Sequence, residues 1–146
     1  MTEKWTLTPD QFQGDLAIGT ICADVPPTRG LAGWTDWLLD NPIASALTSG
    51  RVKATAGEKL LIAGRPPMGV SKLLFIGCNH SAATGEELES LVQSFADAIQ
   101  ALRGQRILVE IPADNPDTFL RLLTERTSMP RSVELFAYIP EVPCRI

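Results

Sequence analysis

Two kinds of apolar pattern alternate along this chain. The first is the short continuous run. "DLAIGTIC" (15–22), "EKLLIAG" (58–64), "SKLLFIGC" (71–78), "QRILVEIPA" (105–113) and "SVELFAYIP" (132–140) each read as a strand. Runs without polar alternation predict strands buried on both faces, as in a sheet covered by helices. "WTLT" (5–8) reads as a short further strand before the turn at Pro9-Asp10.

The second pattern has helical spacing. Leu88, Leu91, Val92, Phe95, Ile99 and Leu102 fall on one face of a helix predicted over Thr84–Gly104. Thr84 and Glu87 fit a capping box, and Gly104 supplies the stop. "NPDTFLRLLTER" (115–126) predicts a helix with Asn115 as cap and Pro116 at the first position. "GWTDWLLDNPIASALTSG" (33–50) predicts either two helices, the second capped by Asn41 and opened by Pro42, or one helix kinked at Pro42. The order of elements predicts an α/β fold: a three-layer body with a mixed, mainly parallel sheet between helices.

Composition narrows this picture. With 146 residues, 45% hydrophobic and 21% charged, the chain is expected to form a single domain over residues 1–146. No apolar run approaches the ~20 residues of a membrane span. The N-terminus lacks a basic-then-apolar signal pattern, so a cytoplasmic protein is expected, with no membrane partner. The net charge is −4 and no block of basic residues occurs, which disfavours nucleic acid as a partner.

The three cysteines, Cys22, Cys78 and Cys144, are odd in number and widely spaced. That argues for a reducing compartment and buried, unreactive thiols. A zinc site built from Cys22, Cys78, His80 and Cys144 lacks the usual short paired spacings. A carboxylate metal site drawn from Asp15, Asp24 and Asp114 has no recognisable spacing either. No metal and no cofactor are expected.

"KLLFIGCNHSAATGEEL" (72–88) holds the densest set of candidates. A strand ends at Gly77, and Cys78, Asn79 and the only histidine, His80, follow. A nucleophilic Cys78 with His80 as base lacks an adjacent helix N-terminus, because the helix begins six residues later. The segment matches neither G-x-G-x-x-G nor a P-loop, and Glu86 and Glu87 oppose a phosphate. An ordinary strand-to-helix connection is the favoured reading. If a ligand binds, Asp15, Gly77, Asn79 and His80 are its expected lining, at the strand C-termini where α/β sheets hold ligands. Trp34 and Trp37, three apart on one helix, are expected to share a face and form a core or subunit contact.

The stretch "LAGWTDWLLDNPIASALTSGRVKATAGEKLLIAG" and the later "SKLLFIGCNHSAATGEELESL" resemble the N-terminal domain of the leucyl (cytosol) aminopeptidases. The match is a spaced pattern of glycine and apolar positions from about Asp15 to Tyr138. The resemblance implies a macro-domain-like fold and a non-catalytic role. In that family the two-metal peptidase site lies in a separate C-terminal domain, on a segment like N-T-D-A-E-G-R-L. No such segment occurs in these 146 residues, so the resemblance carries over no metal ligand or catalytic residue. It implies association, with a second copy of the chain or with an aminopeptidase-type protein. A small-molecule ligand of the nucleotide or ADP-ribose type is the rival reading. "QGDLAI" is similar to the segment holding the adenine-site aspartate of macro domains, but their glycine-rich phosphate loop is missing here.

Overall fold

The computed structural model describes residues 8–22, 30–78, 85–111, 116–127 and 132–139. The proposed strand at 5–8 and the caps Thr84 and Asn115 lie wholly or mostly outside them. After a 3-10 turn at Pro9–Gln11 come β1 (Gly14–Ile21), α1 (Gly30–Leu39), α2 (Pro42–Thr48), β2 (Lys59–Ala63) and β3 (Val70–Gly77). Then follow α3 (Gly85–Leu102), β4 (Arg106–Glu110), α4 (Pro116–Arg126) and β5 (Glu134–Tyr138).

The five strands form one mixed sheet in the order β2-β3-β1-β4-β5. β3, β1, β4 and β5 run parallel, and β2 joins β3 as an antiparallel hairpin. Side chains alternate across each strand, so one set of residues serves each face. Leu16, Ile18, Leu74, Ile76, Ile107 and Val109 pack with the apolar stripes of α3 and α4. Ala17, Leu73, Phe75, Leu108 and Phe136 pack with α1 and α2. This is the three-layer α/β arrangement that the apolar runs imply.

β2 departs from the expectation of burial on both faces. Its residues alternate between exposed and half-buried, and Leu61 is 54% exposed. Leu74, directly opposite on β3, is buried. The helix layer on that face covers β3 and stops short of the edge strand.

The region around Pro42 is two helices rather than one kinked helix, and its cap is not Asn41. Asp40 and Asn41 both adopt left-handed backbone (φ 65° and 61°), and Asn41 makes no side-chain cap bond. Asp36, one turn back on α1, does that work. Its two carboxylate oxygens accept the N–H groups of Ile43 (2.7 Å) and Ala44 (2.9 Å). These are orphan donors of the first turn of α2, and a carboxylate at the positive end of a helix is doubly suited to them.

The stop of α3 is also displaced. Arg103 takes the left-handed conformation (φ 51°), one residue before Gly104. Gly104 matters through close packing, since a Cβ there would sit 3.0–3.1 Å from side-chain atoms of Ile107 and Leu16.

Candidate functional site

The connectivity fixes where a site can form. From β1 the chain runs through α1, α2 and β2 to β3 on one side, then crosses by α3 to β4 on the other. The C-terminal ends of β3, β1 and β4 therefore flank a point where the direction of winding reverses. Ligand crevices of α/β sheets open at such points.

A cleft of about 340 Å³ lies beside the end of β3, against α3. Gly77 and Cys78 at the end of β3 line it. So do Ala56 and Gly57 before β2, and Glu86, Glu87, Ser90, Leu91 and Ser94 on α3. The volume is at the low end for a small-molecule site. Two carboxylates on the first turn of α3 make its rim acidic, which suits a neutral or cationic group better than a phosphate.

Gly77 is in this wall for a steric reason. Its N–H donates to the carbonyl of Glu58 (2.7 Å), and its own carbonyl accepts the N–H of Gly57 (3.0 Å). A Cβ would collide with the carbonyl oxygen of Thr55 and lie 2.8 Å from the carbonyl carbon of Ala54. Only glycine allows the loop before β2 to press against the strand end.

Beside it, Cys78 meets Cys22. The register pairs Ile21 with Gly77, and the Cys78 N–H donates to the carbonyl of Ile21 (3.0 Å). The next positions are the two cysteines, with their sulfurs 3.5 Å apart and both residues half-buried. Contact with the Cys22 thiol and burial push the Cys78 thiol up from its ordinary range. The two half-buried thiols are in contact at this strand end, and the candidate base His80 lies outside the described residues.

On the other face, at the end of β4, sits Glu110, which the sequence reading passed over. It is buried, and its carboxylate accepts the N–H of Leu31 at 2.7 Å and of Thr20 at 3.2 Å. Burial raises its pKa; the hydrogen bonds from Leu31 and Thr20 pull the other way and are outweighed. The carboxylate joins β1, β4 and the first turn of α1. The one available signal was a charged residue closing the apolar run "RILVE".

Among the sequence-derived ligand candidates, Gly77 alone is placed at the cleft by the described residues. Asp15 lies at the opposite end of the sheet: Gly14 pairs with Val70 and Ile21 with Gly77. At ~3.3 Å per residue, the start of β1 is about 20 Å from the cleft. The Asp15 carboxylate accepts the N–H groups of Gln105 and Arg106, each at 2.7 Å, and so anchors the start of β4. Burial alone would raise its pKa, but these backbone bonds prevail and hold it below the ordinary value. Asn79, His80, Cys144, Asp24 and Asp114 lie outside the described residues. Among the described residues, no three His, Cys, Asp or Glu side chains gather in a way that holds a metal ion, and no helix is long and apolar enough to cross a membrane.

Trp34 and Trp37 do not share one environment. Trp34 packs partly against the core under α1, whereas Trp37 is 79% exposed. Half-buried Gly33, Trp34 and Leu38 adjoin it, and the only charged residue of α1 is the buried Asp36. The outer surface of this helix is apolar and uncharged.

Comparison with known proteins gives a consistent answer. Residues 28–130 match the N-terminal domain of the cytosol aminopeptidase family. A tomato leucine aminopeptidase variant superposes with a TM-score of 0.63 at 19% identity, over 94% of this chain and 31% of that one. This chain thus spans about a third of the length of that enzyme. The macrodomain of Thermus aquaticus DarG superposes with a TM-score of 0.65 at 16% identity, covering 94% of this chain and 97% of the other. That of Mycobacterium tuberculosis DarG gives 0.67 at 11% identity, over the same shares. No curated protein matches in sequence. The fold is macrodomain-like.

Proposed function

This chain belongs to the cytosol aminopeptidase family through its N-terminal domain, and on that footing we propose that it acts in the cytoplasm as a non-catalytic association module. Its first partner is a second copy of itself, met through the outer face of α1. The observation that carries this reading is Trp37, 79% exposed on an otherwise well-packed molecule. A large aromatic ring left in water is a typical anchor of a protein contact.

Self-association suits this face because a two-fold contact sets a patch against itself. No exposed side chain within α1 is charged, so the helix face meets its copy with little repulsion, although the exposed Asp40 stands just past its C-terminal end. Gly33, one turn before Trp37, has no side chain and leaves room for a partner's ring against the helix.

Chemical cross-linking of the purified protein tests the reading. A dimer band that disappears in Trp37→Ser supports it. No cross-linked species at any concentration counts against it. A band that forms only when a peptidase-domain chain is added replaces the second copy with an aminopeptidase-type partner.

A second reading rests on the cleft between the end of β3 and α3 and takes a small molecule there, of the nucleotide or ADP-ribose type. The position and volume of the cleft favour it. Glu86 and Glu87 weigh against a pyrophosphate. Thermal shift decides: a ligand at a hundred times its Kd adds about 2.7 kcal/mol of stability. An unchanged Tm with millimolar ADP-ribose removes this reading.

A further inference from the structure

We propose that Cys22 and Cys78 are a reversible disulfide site that ties β1 to β3 when the protein meets a low-molecular-weight disulfide oxidant. The geometry of the two strands carries this inference. The cysteines occupy the register step after Ile21 and Gly77 on adjacent parallel strands. Neighbouring strands run ~4.7–4.9 Å apart. That falls inside the range of about 4.4–6.8 Å between Cα atoms that a disulfide spans. Their sulfurs already touch at 3.5 Å, so no other group stands between them. Side-chain rotation closes the remaining gap to a bond of about 2.05 Å without moving either strand.

Access and chemistry agree with the geometry. Both residues are half-buried rather than sealed, and Cys78 lines the cleft. In the exchange, one cysteine thiolate attacks a sulfur of the small disulfide and releases one small thiol. The second cysteine attacks the resulting mixed disulfide and releases the other. The pair loses two electrons, and the small disulfide gains them. The two protons end on the two released thiols. Because contact with Cys22 and burial hold the Cys78 thiol up, the exchange runs faster as pH rises. In a reducing compartment the bridge forms on oxidant exposure and is cleared afterwards, as cytosolic regulatory disulfides are. The site is independent of the association face, which lies on α1.

The test uses the 146-residue chain carrying Cys144→Ser, so that the third thiol cannot exchange. It is incubated with oxidised glutathione and mapped by mass spectrometry. The expected product is about 2 Da lighter, with Cys22 and Cys78 in one linked peptide and roughly tenfold less mixed disulfide, and dithiothreitol reverses it. Its Tm rises on the order of 5–10 °C over the reduced form. The companion variant with both Cys22→Ser and Cys144→Ser has no second thiol and accumulates the glutathione adduct at Cys78. Stable glutathione adducts on both cysteines, or linkage only between chains, would overturn the proposal. Should Cys144→Ser fold poorly, the same peptide map on the unsubstituted chain gives the answer, because a Cys22–Cys78 peptide is distinct from any containing Cys144.

Discussion

The carboxylate of Glu110, at the end of β4, accepts the N–H of Leu31, in the first turn of α1, at 2.7 Å. Seventy-nine residues of sequence separate the partners. Through this bond and its contact with Thr20, one buried side chain sets where α1 leaves the sheet, and so how the face carrying Trp37 is presented.

That bond carries a pH signature. Burial raises the folded pKa of Glu110 above its ordinary 4.5. The native state therefore holds the proton more tightly than the unfolded chain. The contribution to stability is complete below pH 4.5 and is lost as pH rises through the folded value. Glu110→Gln keeps one acceptor oxygen and removes the titration. Relative to the parent, the variant gains stability as pH rises above 4.5 through the folded value. Urea unfolding at a series of pH values checks this, and parallel curves for the two proteins contradict it.

Asp15 has the opposite sign in a different window. The N–H groups of Gln105 and Arg106 hold its folded pKa below 3.8, so its contribution is present above 3.8 and is lost as pH falls through the folded value. Asp15→Ala costs about 1 kcal/mol at pH 7, a modest figure because the group is solvent-screened. The difference from the parent closes in acid. Binding of any ligand in the cleft is unaffected, since the residue is at the far end of the sheet.

Asp36 and Asn41 make a matched pair for mutation. Asp36→Ala strands the N–H groups of Ile43 and Ala44 in a buried joint and costs about 2–3 kcal/mol. Asn41→Gly relieves a left-handed residue that caps nothing, and changes stability by less than ~0.5 kcal/mol. Chemical denaturation of both variants distinguishes the true cap from the residue that the local pattern favours.

That contrast shows how the sequence could and could not be read. Pro42 and Pro116 announce helix starts because each lacks the N–H that a helix interior needs, a purely local fact. The apolar runs of β1, β3 and β4 announce a covered sheet for the same kind of reason. Asp36 sits seven residues from the donor it satisfies, inside a neighbouring helix, so no capping pattern marks it. Glu110 reaches Leu31, Asp15 reaches Gln105, and Cys22 reaches Cys78 only once the strand order is known. The ligand set Asp15, Gly77, Asn79 and His80 failed to converge at Asp15 because parallel strands begin at one end of a sheet and finish at the other. Edge exposure of β2 was likewise invisible, since "KLLIA" is as apolar as a central strand.

Gly77→Ala isolates the steric role of the cleft wall. A methyl group there meets the carbonyl of Thr55, which belongs to backbone and cannot swing away. The variant loses about 1–3 kcal/mol, an overpacking cost read by thermal or urea unfolding. A neutral outcome shows that the loop before β2 yields, and that the glycine is not required for the fold.

Sedimentation velocity of the 146-residue chain over roughly 1–100 µM reads association through α1 without a chemical probe. The parent shifts to dimer as its concentration rises. Trp37→Ser stays monomeric throughout, with an unfolding free energy within ~0.5 kcal/mol of the parent's, as suits an exposed position. A parent that sediments as a monomer across the whole range, or a Trp37→Ser variant that still dimerises, contradicts association through α1.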